Sequence, residues 1–383
     1  MIVCMVTPHL PPDQAANALL PQLLHDGLTR AGHEVRLMSF EPRNAGEKNA
    51  PVLNPDVHYI RRPRNGWSRK LRLSQVETWL SVRSKAKEAF RDVDVVHVHS
   101  NTFMNQVAAA LAYRRHVPFV LTHYGTEIWH YEPRRIDPFL WMNENAARVT
   151  YYSRLLLERS IELGVVPKRS AVVYPAVEHR FRTPTDEERT EARRGLGIEG
   201  PFLLNVKRLH PLAGQRYLLE AMPAVLRKFP QARLAIAGEG ESRPELEGLI
   251  HDLGLEDRVR LLGLVDNREL PRYYQAADLF VLPSRLEAFP TVAAEALASG
   301  LRVVSADHPG GVELSDLFPE DVRIVPREQI EPLVKVIHTE LARGARSSKA
   351  TRARIEREFR PETAVRTYRE LYEQALAMGH ARD

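Results

Sequence analysis

Apolar runs short enough to be strands alternate with helically spaced segments almost throughout this chain, and the alternation occurs twice. The first series is "MIVCMVT", "VRLMSF", "VHYI", "VDVVHVHS", "PFVLTHY", "VTYYS" and "AVVYP", with helical stretches such as "FMNQVAAALAYRR" and "RLLLERSIELG" between some of them. After "EHRFRTPTDEERTEARRGLGIEG" the pattern restarts as "PFLLNVKR", "ARLAIAG", "RVRLLG", "LFVLPS", "LRVVSAD" and "VRIVP". Near-continuous apolar strands separated by helices indicate parallel sheets covered on both faces. At 383 residues the chain is too long for one ordinary core. The reading is an α/β chain of two doubly wound units, residues 1–180 and 181–360, with a linker near 178–198. The last helix, "PETAVRTYRELYEQALAMG", has no strand after it, so residues 361–383 are expected to cross back to the first domain. Ligands of such sheets bind beyond the carboxyl ends of the strands, and two sheets facing each other would hold one in the cleft between them.

Composition narrows the class. With 44% apolar and 27% charged residues the chain reads as a globular protein, without a run long enough for a transmembrane helix. "MIVCMVTPHLPP" has neither a basic segment nor a small-residue cleavage site and reads as a strand, not a signal peptide. The single cysteine, Cys4, excludes a disulfide within the chain, and a cytoplasmic protein is expected. A net charge of +5 points weakly to anionic partners. The basic residues cluster in "RRPRNGWSRKLRLS", residues 61–74, where Arg61, Arg62, Arg64, Arg69, Lys70 and Arg72 surround Trp67. That stretch is either a solvated loop and helix face or a peripheral contact with an anionic membrane. No recognised nucleic-acid module accompanies it, so nucleic acid is not an expected partner.

Several strand-to-loop junctions of the second half carry chemistry. "LLNVKRLHPLAG" puts Lys207 and Arg208 at a strand end, and "LAIAGEGESRPELEGL" puts Gly238 and Gly240 at another. "VLPSRLEAFPTVAAEALASG" holds Glu287 at a turn and Glu295 on the helix behind it, and "SADHPGGVEL" holds Gly310 and Gly311. Helix N-termini offer free N–H groups and a positive dipole end, which suits phosphate. Glu295 could accept two hydroxyl protons from a ribose diol, and Glu287 could reach a sugar hydroxyl. No Cys/His cluster has zinc spacing. Asp92 and Asp94 form a D-x-D, but it precedes a strand and reads as an exposed strand start. No metal or other cofactor is expected.

Glu287-x7-Glu295 followed by "EALASGLRVVSADHPGG", with "KRLHPLAGQRYLLEA", "ELPRYYQAADLFVLPS" and "LPPDQAANALLPQLLHDGLTRAGHEV", resembles the retaining glycosyltransferases of family 4. The resemblance spans nearly the whole chain and implies the GT-B fold of two facing Rossmann-like domains. It implies a nucleoside diphosphate-sugar donor, UDP- or GDP-linked, and leaves the acceptor (glycan, lipid or small molecule) unread. By it, Glu295 would hold the ribose hydroxyls, Glu287 would contact the donor sugar near C3, and Arg208 would pair with the diphosphate. The segment Ala288-Phe289-Pro290-Thr291 would add phosphate and sugar contacts through backbone N–H groups around Phe289 and Thr291. Gly238 and Arg285 would belong to the donor site, with the base against Gly263, Leu264 and Val265. In the first domain His99 would point into the sugar pocket and His97 would be a core histidine with a hydrogen-bond partner. "LTHYGTE" resembles the family's T-x-H-G loop with the histidine displaced, so that either His123 or Tyr124 would face the cleft.

The resemblance is broken at three places. Ala213-Gly214 stands where the family has Lys-Gly, Ala15-Ala16 replaces a Gly-Gly of the first loop, and Ala288 replaces a glycine. Arg216, Lys207, His210 and Arg285 could compensate for the missing cation. Lys207 ranks last of these, because strand alternation turns it away from Arg208. These departures leave room for a catalytically impaired relative that binds nucleotide-sugar or glycan, and a nucleotide-sugar epimerase of the same fold is a further alternative.

Overall fold

The computed structural model describes residues 1–11, 16–42, 54–62, 73–133, 135–166 and 169–379. The chain forms two compact units, one of Met1–Pro175 with the chain from Pro361 onward, the other of Ala176–Arg360.

The sheet of the first unit is parallel and seven-stranded, in the order β3-β2-β1-β4-β5-β6-β7. Its strands are β1 (Ile2–Thr7), β2 (Glu34–Phe40), β3 (Val57–Ile60), β4 (Val95–His99), β5 (Phe119–His123), β6 (Arg148–Tyr151) and β7 (Ser170–Val172). All five residues of β4 and of β5 are buried, as strands covered on both faces require. The Cys4 thiol lies inside this core, where burial pushes it up to about 12 and keeps it protonated and inert. The helix Pro361–Gly379 packs on this unit with Tyr368 and Tyr372 fully buried. Both hydroxyls find partners: Tyr372 at 2.7 Å from His97 Nδ1, Tyr368 at 3.1 Å from Thr150 Oγ1. Gly27, on the helix Ala16–Arg30, lets this helix approach, since a Cβ there would lie 2.3 Å from Val365 Cγ2.

The second unit has a six-stranded parallel sheet in the order β10-β9-β8-β11-β12-β13. Its strands are β8 (Phe202–Val206), β9 (Arg233–Ala237), β10 (Val259–Gly263), β11 (Leu279–Leu282), β12 (Arg302–Ala306) and β13 (Val322–Val325). Leu203, Leu218, Met222, Leu234, Ile236, Val281, Val304 and Ile337 anchor its core. In each sheet the strand order reverses once, between β1 and β4 and between β8 and β11, the places where doubly wound sheets take ligands.

One expectation fails here. Much of the stretch assigned to a linker, 178–198, is the helix Asp186–Leu196 of the second unit. Thr185 and Glu188 form a capping box, acids fill the first turn, Arg193 and Arg194 the last, and Gly197 closes it at φ 66. Among the described residues, no helix is long and apolar enough to cross a membrane.

Candidate functional site

In the second unit the segments that follow β8, β9, β10, β11 and β12 carry the singled-out residues. The chain leaving β8 stays paired with the chain leaving β9: Lys207 N–H donates to Ala237 O at 2.9 Å, and Leu209 N–H to Glu239 O at 3.0 Å. The contact is close enough to demand glycine. A Cβ on Gly238 (φ 147) would lie 2.0 Å from Lys207 O, and one on Gly240 would lie 2.0 Å from Leu209 O.

Glu287 sits beyond β11 and is held at both ends. Its carbonyl accepts from Gly310 N–H at 3.0 Å, and a Cβ on Gly310 would lie 2.9 Å from that same oxygen, so Gly310 lets the helix Pro309–Leu317 back onto this loop. Its carboxylate, only 11% exposed, meets the Lys207 ammonium at 2.7 Å from both oxygens. Only Oε2 accepts a well-aligned hydrogen bond; buried Oε1 has none among the described residues.

Glu295 lies on the helix Thr291–Ala298 beside Tyr274, whose hydroxyl is 3.1 Å from Glu295 Oε2 and 3.1 Å from Val292 O. With one proton, Tyr274 serves one of these acceptors at a time. Burial, aided by the Glu178 carboxylate, pushes Glu295 up to about 8 against the Tyr274 hydrogen bond and Arg180. Tyr274 itself is held far above the usual phenol range by burial and by Glu295, so it remains a donor. His308 caps the helix Pro309–Leu317: Nδ1 accepts from Gly311 N–H at 2.9 Å, Nε2 lies 3.2 Å from Ser305 Oγ, and burial lowers its pKa to about 4, so the ring is neutral. Tyr274 and His308 were missed by sequence reasoning; the only signals were "PRYYQ" on a helix and the His-Pro-Gly-Gly helix start.

Other assignments fare differently. The Arg208 side chain is exposed and makes no ion pair among the described residues. Arg285 is engaged with Glu328, Nε to Oε1 at 2.7 Å. The Thr291 N–H, expected to serve a ligand, donates instead to Phe289 O at 3.1 Å; the turn into the helix uses it. Phe289 is buried with its ring 5.9 Å from Phe359, Pro290 is buried at the helix start, and Ala288 is partly exposed. Gly263 ends β10 at φ 71, followed by exposed Leu264 and partly exposed Val265. Lys207, ranked last as a compensating cation, is the one that meets Glu287. Alternation does part it from Arg208, but the acid lies on the Lys207 side.

In the first unit His99 ends β4 fully buried, its Nδ1 2.8 Å from the Tyr124 hydroxyl. Its Nε2 has no hydrogen-bond partner among the described residues, and burial lowers its pKa to about 3, so it is neutral. Ser100 follows at φ 76, a costly backbone for serine, and Asn105 Nδ2 secures it by donating to Ser100 O at 3.0 Å and to His99 O. His97 is a core histidine as expected, bonded to Tyr372 and to Thr122 Oγ1, both at 2.7 Å. His123 is fully buried between Glu127 and Asn143, each at 3.1 Å, leaving Tyr124 as the residue beside His99. Asp94 accepts from Ile2 N–H at 2.6 Å, a strand-start role. Ala15 lies outside the described residues, Ala16 opens the first helix, and Arg64, Trp67, Arg69, Lys70 and Arg72 lie outside them too. Arg62 packs over Phe40, its carbon Cζ 5.3 Å from the ring centre.

Residues 187–350 match the family described as Glycosyl transferases group 1, and residues 22–181 match Glycosyltransferase Family 4. This chain belongs to glycosyltransferase family 4. An uncharacterised glycosyltransferase of Methanocaldococcus jannaschii is 29% identical over 336 residues, 82% of each chain. The D-inositol 3-phosphate glycosyltransferase of Frankia alni is 35% identical over 236 residues, 56% of this glycosyltransferase and 57% of that one. Sucrose-phosphate synthase of Thermosynechococcus elongatus superposes with a TM-score of 0.78 at 21% identity, covering 99% of this chain and 100% of that one. Anabaena HepE in complex with UDP-glucose does so with 0.75 at 21%, covering 97% and 98%. The two Rossmann-like units of this glycosyltransferase are those of the GT-B fold.

Proposed function

We propose that this glycosyltransferase moves a sugar, with retention, from a UDP- or GDP-linked donor to an acceptor hydroxyl. The observation that carries the reading is Glu287: a carboxylate held by Lys207, with a buried oxygen still lacking a hydrogen-bond donor, at the point where the strand order reverses. A sugar hydroxyl is a donor of the right kind. Glu295 accepts from the ribose diol, Arg208 pairs with the diphosphate, and the neutral ring of His99 offers Nε2 to a sugar hydroxyl. The bond from the anomeric carbon to the diphosphate breaks as the acceptor oxygen attacks the same face. The acceptor proton passes to the departing diphosphate. In this reading cations and helix dipoles stabilise the leaving group, and no resident metal is required. HepE, a structural neighbour bound to UDP-glucose, supports a donor of this class.

The test is a panel of UDP- and GDP-sugars scored for thermal stabilisation and slow donor hydrolysis. At least one should stabilise the chain and be hydrolysed, releasing the α-anomer from an α-linked donor. Binding without hydrolysis or transfer across the panel would mark an impaired relative instead.

The acceptor side includes an anionic membrane surface in this proposal. The helix Leu73–Ala89 follows the basic stretch directly and presents Val76, Trp79 and Leu80 at 54%, 38% and 55% exposure, with Arg83 5.2 Å above the Trp79 ring. Apolar and cationic side chains on one exposed face suit the headgroup boundary. Changing Arg69, Lys70 and Arg72 to Ser should lower flotation with anionic vesicles severalfold at low salt and leave donor hydrolysis unchanged; each such cation contributes about 1 kcal/mol. Equal flotation with neutral vesicles would remove this contact.

A further inference from the structure

Ala213, where the resembling family carries a lysine, is only 2% exposed in the turn Pro211–Ala213. The next residue, Gly214 (φ +67), is pressed against the loop after β11, since a Cβ there would lie 2.1 Å from Pro283 O. The turn therefore contributes no cation beside that loop. Four neighbouring cations could replace it, and the structure separates them. Arg216 is taken by Glu220 at 2.9 Å and faces Glu245 at 3.6 Å. Arg285 is taken by Glu328 at 2.7 Å. His210 Nδ1 accepts from Leu212 N–H at 3.1 Å, and its Nε2 lies 3.5 Å from Glu241. Lys207 alone of the four meets a residue of the candidate donor site, 2.7 Å from both Glu287 oxygens.

Resting on the donor-site reading above, we propose that Lys207 is the cation that stands in for the lysine absent at position 213, meeting the charge of a bound nucleoside diphosphate while it fixes Glu287. An ammonium carries three N–H donors, and the one aligned on Glu287 Oε2 leaves others for a phosphate oxygen. Its single flexible stem lets it shift toward a diphosphate without the fixed fork geometry an arginine would need. The tight glycine contacts described above fix the backbone from which it extends, because Gly238 and Gly240 lock residues 207–209 against the loop after β9. The substitution at 213 and the lysine at 207 then act together, one supplying the charge that the other lacks.

The experiment is calorimetric titration of UDP, GDP, UMP and GMP into the full chain and into K207M, K207R and E295A, with melting temperatures taken without nucleotide. K207M should lose about tenfold in affinity for the diphosphate and stay within about twofold for the monophosphate, and K207R, which keeps the charge but not the flexible point geometry, should recover only part of the loss. Unchanged diphosphate binding in K207M overturns the assignment. So does an equal loss of mono- and diphosphate, which would mark a general disturbance of the loop. The donor-site reading fails separately: it falls, and this inference with it, if the unaltered chain binds none of the four or if E295A binds them as well as the unaltered chain. Loss of binding in E295A alone, with K207M unaffected, removes only Lys207.

Discussion

Glu295→Ala is expected to abolish measurable binding of a nucleoside diphosphate. A carboxylate accepting two ribose hydroxyls makes two charge-assisted hydrogen bonds, each contributing about 1.5–3 kcal/mol, so their joint loss weakens binding by roughly two to four orders of magnitude. The state of that carboxylate adds a pH dependence. Burial holds Glu295 at about 8, above its ordinary 4.5. Between those values the unfolded chain ionises it while the folded chain keeps the proton, so its contribution to stability falls as pH rises from 4.5 to about 8 and is level beyond. Glu295→Gln, which cannot ionise but still accepts from Tyr274, should melt progressively above the unaltered chain over that window. The gap is on the order of 2 kcal/mol at pH 8, allowing for the partial exposure of this side chain. Diphosphate affinity should do the reverse, rising from pH 7 to a plateau just above 8, because the ionised form accepts both hydroxyls. Affinity that is flat or falls from pH 7 to 9, or wild-type affinity in Glu295→Ala, would place the ribose elsewhere.

The two sheets were legible because parallel strands buried on both faces leave unbroken apolar runs, and each of those runs overlaps a strand. Glu287 and Glu295 were legible as a pair, since their spacing across a turn and a helix start is local. What decides their chemistry is not. Tyr274 reaches Glu295 from a helix 21 residues away, and nothing in "ELPRYYQAAD" distinguishes it from a core aromatic. Alternation showed that Lys207 and Arg208 point apart, but an acid 80 positions later chose between the sides. His123 and Tyr124 could not be separated because β5 ends at His123, where a period of two stops applying. The helix at 186–196 was misread as a linker: Thr185 and Glu188 have capping-box spacing, but the charged composition masked it.

Glu287→Gln is expected to lower sugar transfer by about two to three orders of magnitude, as the loss of one charge-stabilising group at a reacting centre does, while diphosphate binding stays within about twofold. Gln keeps the shape and the backbone bond to Gly310, so the loop should hold. It removes the negative charge facing Lys207 and the acceptor strength of Oε1, the atom that has no hydrogen-bond donor of its own. Diphosphate lacks the sugar and does not use that atom, so its affinity is insensitive to the change. If Lys207 is freed from Glu287, its full charge turns to the phosphates and diphosphate affinity rises slightly. The measurement is donor hydrolysis and transfer beside calorimetric diphosphate binding on the same preparation. Transfer within about threefold of the unaltered chain, roughly 0.7 kcal/mol, would take Glu287 out of the reaction. Joint loss of transfer and diphosphate binding would make it a structural tether of the loop, and the orphaned oxygen would need another partner.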